Sequence, residues 1–143
     1  MFNKKLKIEL TTGTLPTRVN HTDAGFDLYS PMTCIIPAKG HFTINLGIKL
    51  GLSKGTAGLI YARSGLGTRF GITPRNKVGV VDEGYRDEVS VTLSNDSIVP
   101  YLVTVGDRIA QLVVTKVEYP KVVKVDKINI KNDRGGGHGS SGK

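Results

Sequence analysis

A carboxylate and an aromatic ring lie three residues apart in the segment Gly79–Arg86, which reads Gly-Val-Val-Asp-Glu-Gly-Tyr-Arg. Asp82 is placed to accept a proton or to orient a water molecule, and Tyr85 supplies the ring. Gly79 and Gly84 allow a positive φ or the close approach of another group. Because most Asp and Gly residues in hairpins are only turn residues, the segment alone leaves that simpler interpretation open.

Two apolar segments flank this turn. Val78–Val81 is an apolar strand end, and Glu88–Leu93 alternates polar and apolar residues with the period of a half-buried strand. We therefore predict a β-hairpin with Asp82 at its mouth.

The composition favours an all-β fold. A chain of 143 residues is long enough for one domain with a single core. Its 18 glycines and six prolines, together with many β-branched residues, predict short strands joined by tight turns. A helix of one or two turns is expected just after Ser64. The predicted strands are Leu6–Leu10, Phe26–Tyr29, Thr33–Ile36, His41–Asn45, Gly47–Leu50, Ala57–Tyr61, Lys77–Val81, Glu88–Leu93, Tyr101–Thr104, Arg108–Glu118 and Val122–Val125.

The charge balance indicates an anionic partner. The formal net charge is +8, from 20 Lys and Arg residues against 12 Asp and Glu residues. Nucleotides and nucleic acids both qualify, but no basic block with interleaved aromatic residues is present, which makes stable nucleic-acid binding the weaker prediction. Cys34 is the only cysteine and is expected to be a buried or half-buried side chain. Because the N-terminal segment lacks an apolar run long enough for a signal peptide or a membrane span, we expect no membrane partner and a non-secreted protein. Its expected location is the cytoplasm, or the nucleus or host cytoplasm if the source is viral.

The composition changes after Asp126, where a polar and glycine-rich segment begins. Such a segment has little to bury and is expected to be disordered alone, which favours a flexible terminus. Its chemistry supports a second interpretation, since the Arg134 guanidinium, the hydroxyls of Ser140 and Ser141 and the glycine amides could close around a polyphosphate.

Three further segments combine charged residues with turn signals: Ala24–Leu28, Arg63–Gly67 and Gly106–Leu112. Each has an ordinary structural interpretation. Asp27 could end a strand, Arg63–Gly67 could cap a helix, and the two charged residues after Gly106 could form an ion pair.

Taken together and in this order, these segments, Gly79–Arg86 and the tail from Arg134 to Gly142 resemble the five motifs of the trimeric dUTPases. The resemblance covers nearly the whole chain. It implies a jelly-roll-like distorted β-barrel over residues 1–126 and a flexible arm over residues 127–143 that closes over the active site of another subunit. It further implies a homotrimer with three shared sites that hydrolyses dUTP to dUMP and pyrophosphate with Mg²⁺, limiting uracil in DNA and supplying dUMP for thymidylate synthesis.

The resemblance assigns Asp82 to water activation and Asp27 to Mg²⁺ through water ligands, as suits an ion that sheds its hydration shell reluctantly. Tyr85 would pack against the deoxyribose and leave no volume for a 2′-hydroxyl. The uracil-side residues are Asn76, Val80 and Val81, with His138 at the place of the ring that stacks on the base. The phosphate-side residues are Arg63, Ser64, Gly65 and Gln111 for the α- and β-phosphates and Arg134, Ser140 and Ser141 for the γ-phosphate.

The chain departs from the family pattern at four places. His138 follows Arg134 after only three glycines, where the family usually has Phe after four residues. Gly84 stands where a second acid is usual, Asp87 where Gly is usual, and Ala62 where Pro is common.

Two rival functions fit parts of the same pattern. A dCTP deaminase resembles this family in architecture but uses a glutamate base elsewhere, so the intact Asp82-to-Tyr85 segment argues against it. A regulatory module, in which the nucleotide is a switch and the tail recruits a protein, is the rival outside enzymes. Loss of turnover on deletion of the tail would separate the enzyme from the switch.

Overall fold

The computed structural model describes residues 5–137 and residue 142. It contains eleven short strands and one helix in that part of the chain. The elements are β1 (Lys7–Leu10), β2 (Gly25–Tyr29), β3 (Cys34–Ile36), β4 (His41–Asn45), β5 (Ile48–Gly51), β6 (Thr56–Tyr61), α1 (Ser64–Phe70), β7 (Ile72–Pro74), β8 (Gly79–Val81), β9 (Ser90–Asn95), β10 (Tyr101–Val103) and β11 (Arg108–Lys116). The prediction of an all-β fold with one short helix after the Arg63 turn is confirmed.

The strands form four antiparallel sheets. The largest has the order β2-β11-β6-β8, and a three-stranded sheet has the order β4-β9-β7. Two smaller sheets pair β1 with β5 and β10 with β3. The strands of the described residues therefore do not hydrogen-bond into one closed ring. None of the described helices is long and apolar enough to cross a membrane.

All four sheets contribute to one hydrophobic core, because alternate residues of each strand point inward. Leu112 from the centre of the largest sheet and Leu93 from the centre of the three-stranded sheet are both fully buried. Cys34 is buried as predicted, and this burial raises the pKa of its thiol. The core holds the sheets in fixed relative positions and so fixes the loops between them.

The hairpin predicted around Asp82 is wrong. β8 pairs with β6 in the largest sheet, whereas β9 pairs with β4 and β7 in another. Val81 and Val89 are both buried, so the segment between them runs from one sheet to another over the core and does not fold back as a hairpin. The segment around Asp82 is therefore a connection between sheets.

One strand of the structure was not predicted, and one predicted strand does not form. The missed strand is β7, because a three-residue Ile-Thr-Pro segment is too short to show a period. Val122–Val125 has strand-like composition but forms no strand, and Val122 is 95% exposed. Between the end of β11 and residue 137 the described chain forms neither helix nor strand.

Candidate active site

β8 forms one wall of a cleft. Its side chains alternate, so that Val80 is 65% exposed and Val81 is 7% exposed. A cavity of about 220 Å³ lies along this strand. Its lining includes Ile60, Asn76, Gly79, Val80, Val81, Tyr85, Val89 and Ser90. The structure thus brings together four of the residues predicted to bind base and sugar, namely Asn76, Val80, Val81 and Tyr85.

Glycine suits position 79 because neighbouring side chains approach its Cα closely, and not because of its φ angle. A Cβ atom at this position would lie 3.3 Å from the Ile60 Cβ and 3.6 Å from the Asn76 side-chain nitrogen. Neither Gly79 nor Gly84 has a positive φ, and a Cβ at Gly84 would meet nothing within 4 Å. Gly79 therefore lets Asn76 and β6 come together at one end of the cleft.

The turn at Asp82 is held by local hydrogen bonds. The Tyr85 amide donates to the Asp82 carbonyl at 3.0 Å, and the Arg86 guanidinium donates to the Glu83 carbonyl at 2.6 Å. Asp82 is exposed, and within the described residues its carboxylate accepts no hydrogen bond. The carboxylate is available to solvent and to a ligand.

The Tyr85 ring is anchored through its hydroxyl. This hydroxyl donates to the Glu88 carbonyl at 3.1 Å. The Glu88 carboxylate accepts hydrogen bonds from Thr11 and Asn45, which lower its pKa. Tyr85 is thus positioned by a residue that is itself bonded to two other parts of the fold.

Glu83 connects the same turn to two distant segments. One oxygen of its carboxylate accepts from the Gly55 amide at 2.6 Å and from the Tyr119 hydroxyl at 2.8 Å. These bonds, the Gly55 bond first, lower the pKa of Glu83, and the bond to Glu83 raises the pKa of Tyr119. Sequence reasoning missed both side chains, because no local pattern relates residues that are 36 positions apart.

A second group of charged residues lies elsewhere on the largest sheet. Asp27 on β2 accepts from the Arg63 Nε at 3.1 Å and from an Arg108 guanidinium nitrogen at 3.4 Å. Arg63 also donates to the Arg108 carbonyl at 3.0 Å. The expected ion pair between Asp107 and Arg108 is absent from the described residues, because the Asp107 carboxylate accepts instead from the Thr104 amide at 2.8 Å.

Gln111 joins the segments that carry Asp27 and Arg63. It lies opposite Asp27 on β2 and opposite Tyr61 on β6. Its side-chain nitrogen donates to the Ala62 carbonyl at 2.8 Å, directly before Arg63. In this structure Gln111 therefore positions the backbone that enters α1.

Arg63 is the residue before α1, and its side chain makes no capping hydrogen bond. Ser64 and Gly65 form the exposed first turn of α1, whose amide groups have no partner within the helix. The segment Arg63–Gly67 does begin a helix with Arg63 at the N-cap, as the helix-cap interpretation expects, but the Arg63 guanidinium binds Asp27 and not the helix terminus.

The two groups of residues lie at opposite ends of the largest sheet. Val81, next to Asp82, pairs with Gly58 near the start of β6, whereas Gln111 pairs with Tyr61 at its end. This register separates them by roughly 10 Å along the strand direction. β2 with Asp27 and β8 are also the two edge strands, about three strand spacings or 14 Å apart. The residues proposed for catalysis and those proposed for phosphate are not brought together within one chain.

Arg134 is exposed and forms no ion pair with the described residues. His138, Ser140 and Ser141 lie outside the described residues, so their assignments stay predictions.

The described part of the chain offers few oxygen ligands for a Mg²⁺ ion. No group of three or more His, Cys, Asp or Glu side chains that could hold a metal ion occurs in the described part of the chain. Asp27 is a single carboxylate beside two guanidinium groups. Such a set does not form a protein cage, but it fits an ion that keeps its waters and is held mainly by substrate phosphates.

Comparisons with known proteins agree on the fold. The chain is similar to the dUTPase from phage phi11 of S. aureus, with a TM-score of 0.82, 22% identity, and coverage of 87% of this chain and 98% of the other. It is also similar to the dUTPase of phage 80alpha, with a TM-score of 0.87, 21% identity, and coverage of 97% of this chain and 100% of the other. A structure of a mutant phi11 enzyme contains a structural Mg(II) ion.

Sequence comparisons carry the assignment further. The deoxyuridine 5'-triphosphate nucleotidohydrolase of Mycobacterium marinum is 40% identical, over 99% of this chain and 97% of the relative. The protein of the same name from Mycolicibacterium vanbaalenii is 42% identical, over 90% of this chain and 87% of the relative. The family model for dUTPase matches residues 11–142. By sequence and by fold, the chain belongs to the dUTPase family.

Proposed function

We propose that this protein hydrolyses dUTP to dUMP and pyrophosphate. The observation that carries the proposal is the exposed Asp82, which directly follows Val81 of a cleft that Asn76 and Tyr85 also line, in a chain of the dUTPase family. The cleft is the right kind of site for a nucleoside, since it combines apolar walls with a few polar groups.

Asp82 acts as the general base. Its carboxylate orients a water molecule and accepts a proton from it while the water oxygen bonds to the α-phosphorus. The bond from the α-phosphorus to the bridging oxygen of the β-phosphate breaks, and pyrophosphate leaves with the bonding electrons. Because the Asp82 carboxylate accepts no hydrogen bond within the described residues, its two oxygens are free for the water.

Uracil is recognised along β8. The Asn76 amide and the backbone of Val80 and Val81 supply donors and acceptors for the edge of the base. Cytosine would present an amino group where an acceptor is expected, and a buried mismatch of this kind can discriminate by roughly 10⁴ to 10⁵. Tyr85 packs against the deoxyribose and fills the volume that a 2′-hydroxyl would need.

The triphosphate is held by the second group of residues. Arg63 is oriented before substrate arrives, since Asp27 binds its Nε and the Arg108 carbonyl binds one of its terminal nitrogens. Ser64, Gly65 and Gln111 complete the contacts to the α- and β-phosphates, and the tail residues Arg134, Ser140 and Ser141 bind the γ-phosphate. His138 is proposed to lie over the base.

Mg²⁺ is the proposed cofactor, with Asp27 contacting it through water. When bound, the ion neutralises charge that develops on the leaving pyrophosphate. Asp27 also fixes Arg63 and Arg108, so its removal would affect phosphate binding even apart from the metal.

We further propose that the active enzyme is a homotrimer with shared sites. The separation of Asp82 from Arg63 across the largest sheet supports this assembly, because a triphosphate must touch both groups. A neighbouring subunit would supply the missing half of each site. The proposed location is the cytoplasm, where the reaction limits uracil in DNA and supplies dUMP for thymidylate synthesis.

The first test is pyrophosphate release from dUTP, with dCTP, dTTP and UTP in parallel, in Mg²⁺ and in chelator. Selective, metal-dependent release from dUTP is expected, and Asp82→Asn should lower kcat by about 10³-fold or more, as expected for loss of a general base. Deletion of residues 134–143 should abolish turnover. Binding of dUTP without release, by a chain that sediments as a monomer, would contradict both the reaction and the assembly.

A further inference from the structure

We propose that Glu83 is a positioning residue, which fixes the Asp82 turn against the start of the C-terminal segment through Gly55 and Tyr119. This inference rests on the proposed hydrolysis of dUTP and deepens it, because it concerns how the catalytic carboxylate is held. No role of this kind follows from the motif in which Glu83 occurs.

The first support is the isolation of the turn. Within the described residues, the other hydrogen bonds of residues 82–87 stay within the segment 82–88. The two bonds to Glu83, from the Gly55 amide at 2.6 Å and from the Tyr119 hydroxyl at 2.8 Å, are the ones that leave this segment. This carboxylate therefore ties the turn directly to other segments, beside the indirect route from Tyr85 through Glu88 to Thr11 and Asn45.

The second support is that the hydrogen bonds of Gly55, Glu83 and Tyr119 link the same three segments to one another. The Gly55 carbonyl accepts from the Val117 amide at 3.0 Å, while its own amide donates to Glu83. Tyr119 lies two residues beyond Val117 and returns to the same Glu83 oxygen. Three segments distant in sequence, namely the β5–β6 turn, the Asp82 turn and the chain after β11, are thus joined at one point.

Gly55 suits this junction because its backbone has a left-handed conformation, with φ of 75°. A side chain would meet nothing within 4 Å but would be strained at this φ. The conformation aims its amide at the Asp82 turn and its carbonyl at β11.

The charge of Glu83 strengthens the junction. Its hydrogen bonds to Gly55 and Tyr119, together with nearby Lys54 and Arg86, keep the carboxylate ionised by lowering its pKa. Hydrogen bonds to an ionised acceptor are roughly twice as strong as those between neutral groups. An amide oxygen at the same place would keep the geometry with weaker bonds.

Tyr119 links the junction to the predicted C-terminal arm. The predicted arm, which carries Arg134, starts eight residues after Tyr119. Fixing Tyr119 to Glu83 sets the point from which this segment leaves the sheet, next to the turn that carries the general base. One side chain thereby sets both the catalytic turn and the origin of the arm.

The kinetic test compares four variants of the full chain in pyrophosphate release from dUTP, well below the unfolding temperature. Glu83→Ala should lower kcat about 10-fold with little change in KM, since a small displacement of a catalytic group costs rate before affinity. Glu83→Gln should recover most of that loss, and Tyr119→Phe should lower kcat about 3-fold because one of the two bonds survives. Glu118→Ala is the matched control, since Glu118 is exposed and accepts no hydrogen bond within the described chain.

A second measurement does not depend on activity. Trypsin cleavage after Lys116 is followed by mass spectrometry, because the next residue, Val117, is bonded at the junction. Glu83→Ala and Tyr119→Phe should each raise the rate of cleavage after Lys116. The variant that carries both substitutions should be cleaved no faster than Glu83→Ala alone. Cleavage after Lys124, which lies beyond the junction and is exposed, is the internal reference.

The outcomes separate this proposal from the proposed function. A wild-type chain that releases no pyrophosphate from dUTP would overturn the function, while the trypsin result would still decide whether the junction exists. An active wild type with unchanged kcat in Glu83→Ala would overturn the positioning role alone. A rise in KM without a fall in kcat, or equal effects in Glu118→Ala, would overturn it as well.

Discussion

Tyr85 offers a direct test of the proposal that its ring excludes ribonucleotides from the cleft, because its ring and its hydroxyl can be removed separately. Tyr85→Phe deletes only the hydroxyl that donates to the Glu88 carbonyl at 3.1 Å. Tyr85→Ala deletes the ring as well. If the ring excludes the 2′-hydroxyl by its volume, the two variants should differ in selectivity and not merely in stability.

The magnitudes follow from the burial of Tyr85. Its side chain is 42% exposed, and its hydroxyl makes one hydrogen bond. Loss of that bond should lower the free energy of unfolding by about 0.5–1 kcal/mol. Removal of the ring should cost about 2 kcal/mol, roughly half of what a fully buried ring costs. Neither change should unfold the protein.

The effect on selectivity is expected to be larger for the ring. A pocket that rejects an added hydroxyl by packing alone discriminates by roughly 10². Tyr85→Ala should therefore lower the ratio of kcat/KM for dUTP to that for UTP by about 10- to 100-fold. Tyr85→Phe should change this ratio by less than about 3-fold, since its ring fills the same space.

The assay is pyrophosphate release with each nucleotide, at several concentrations for both variants. The ratio of kcat/KM for dUTP to that for dCTP is the internal control: it should stay constant, since the proposed contacts to the base come from Asn76 and the β8 backbone and not from Tyr85. An unchanged dUTP to UTP ratio in Tyr85→Ala would refute the volume argument. If Tyr85→Phe lowered the dUTP to UTP ratio as much as Tyr85→Ala does, the Tyr85 hydroxyl and not the ring volume would be what excludes the ribose.

Two predictions concern stability. The buried Asn95 amide makes four hydrogen bonds that tie the end of β9 to β3 and to the following loop, so Asn95→Ala should lower the free energy of unfolding in urea by about 3 kcal/mol. Equal urea midpoints for the two proteins would contradict it. The native pKa of Glu88 is lowered by its bonds to Thr11 and Asn45. Its stabilisation is complete above the ordinary value of 4.5 and is lost as the pH falls through the lowered native pKa. Glu88→Gln should therefore flatten the acid limb of a plot of unfolding free energy against pH, and an unchanged slope would exclude this role.

Much of the fold could be predicted from local patterns. β4 was predicted with its observed bounds, because His41–Asn45 alternates cleanly between exposed and inward positions. The helix after Arg63 was predicted from the turn residues that precede it. These features depend on neighbours in sequence, so the sequence is sufficient to find them.

Pairing partners could not be predicted in the same way. The segments on either side of Asp82 look like two arms of a hairpin, yet each pairs with a strand from another part of the chain. Val122–Val125 shows the opposite failure, since β-branched residues favour a strand but no partner strand is present within the described residues. Strand composition says that a segment can pair but does not say with what.

The site was predicted unevenly for the same reason. Asp82 and Tyr85 carry a local signal, and the structure places Tyr85 in the lining of the cleft and Asp82 directly after Val81 of the same lining. The junction of Glu83 with Gly55 and Tyr119 carries no such signal, because it arises only when three distant segments meet. The binding of Arg63 by Asp27 is likewise a product of the register between β2, β11 and β6.

The alternation of Val80 and Val81 has a consequence for how the chain selects its register. Both residues are valine, so a slip of one position that moved Val80 into the place of Val81 would bury the same apolar volume. The hydrophobic effect cannot distinguish these two alignments, although the slipped one would turn Asp82 to the opposite face of the strand. The contact at Gly79 does distinguish them, because the slip would bring Val78 to the place where even a Cβ lies 3.3 Å from the Ile60 Cβ. The absence of a side chain at Gly79 thus favours the alignment that sets the direction of Asp82, the proposed general base.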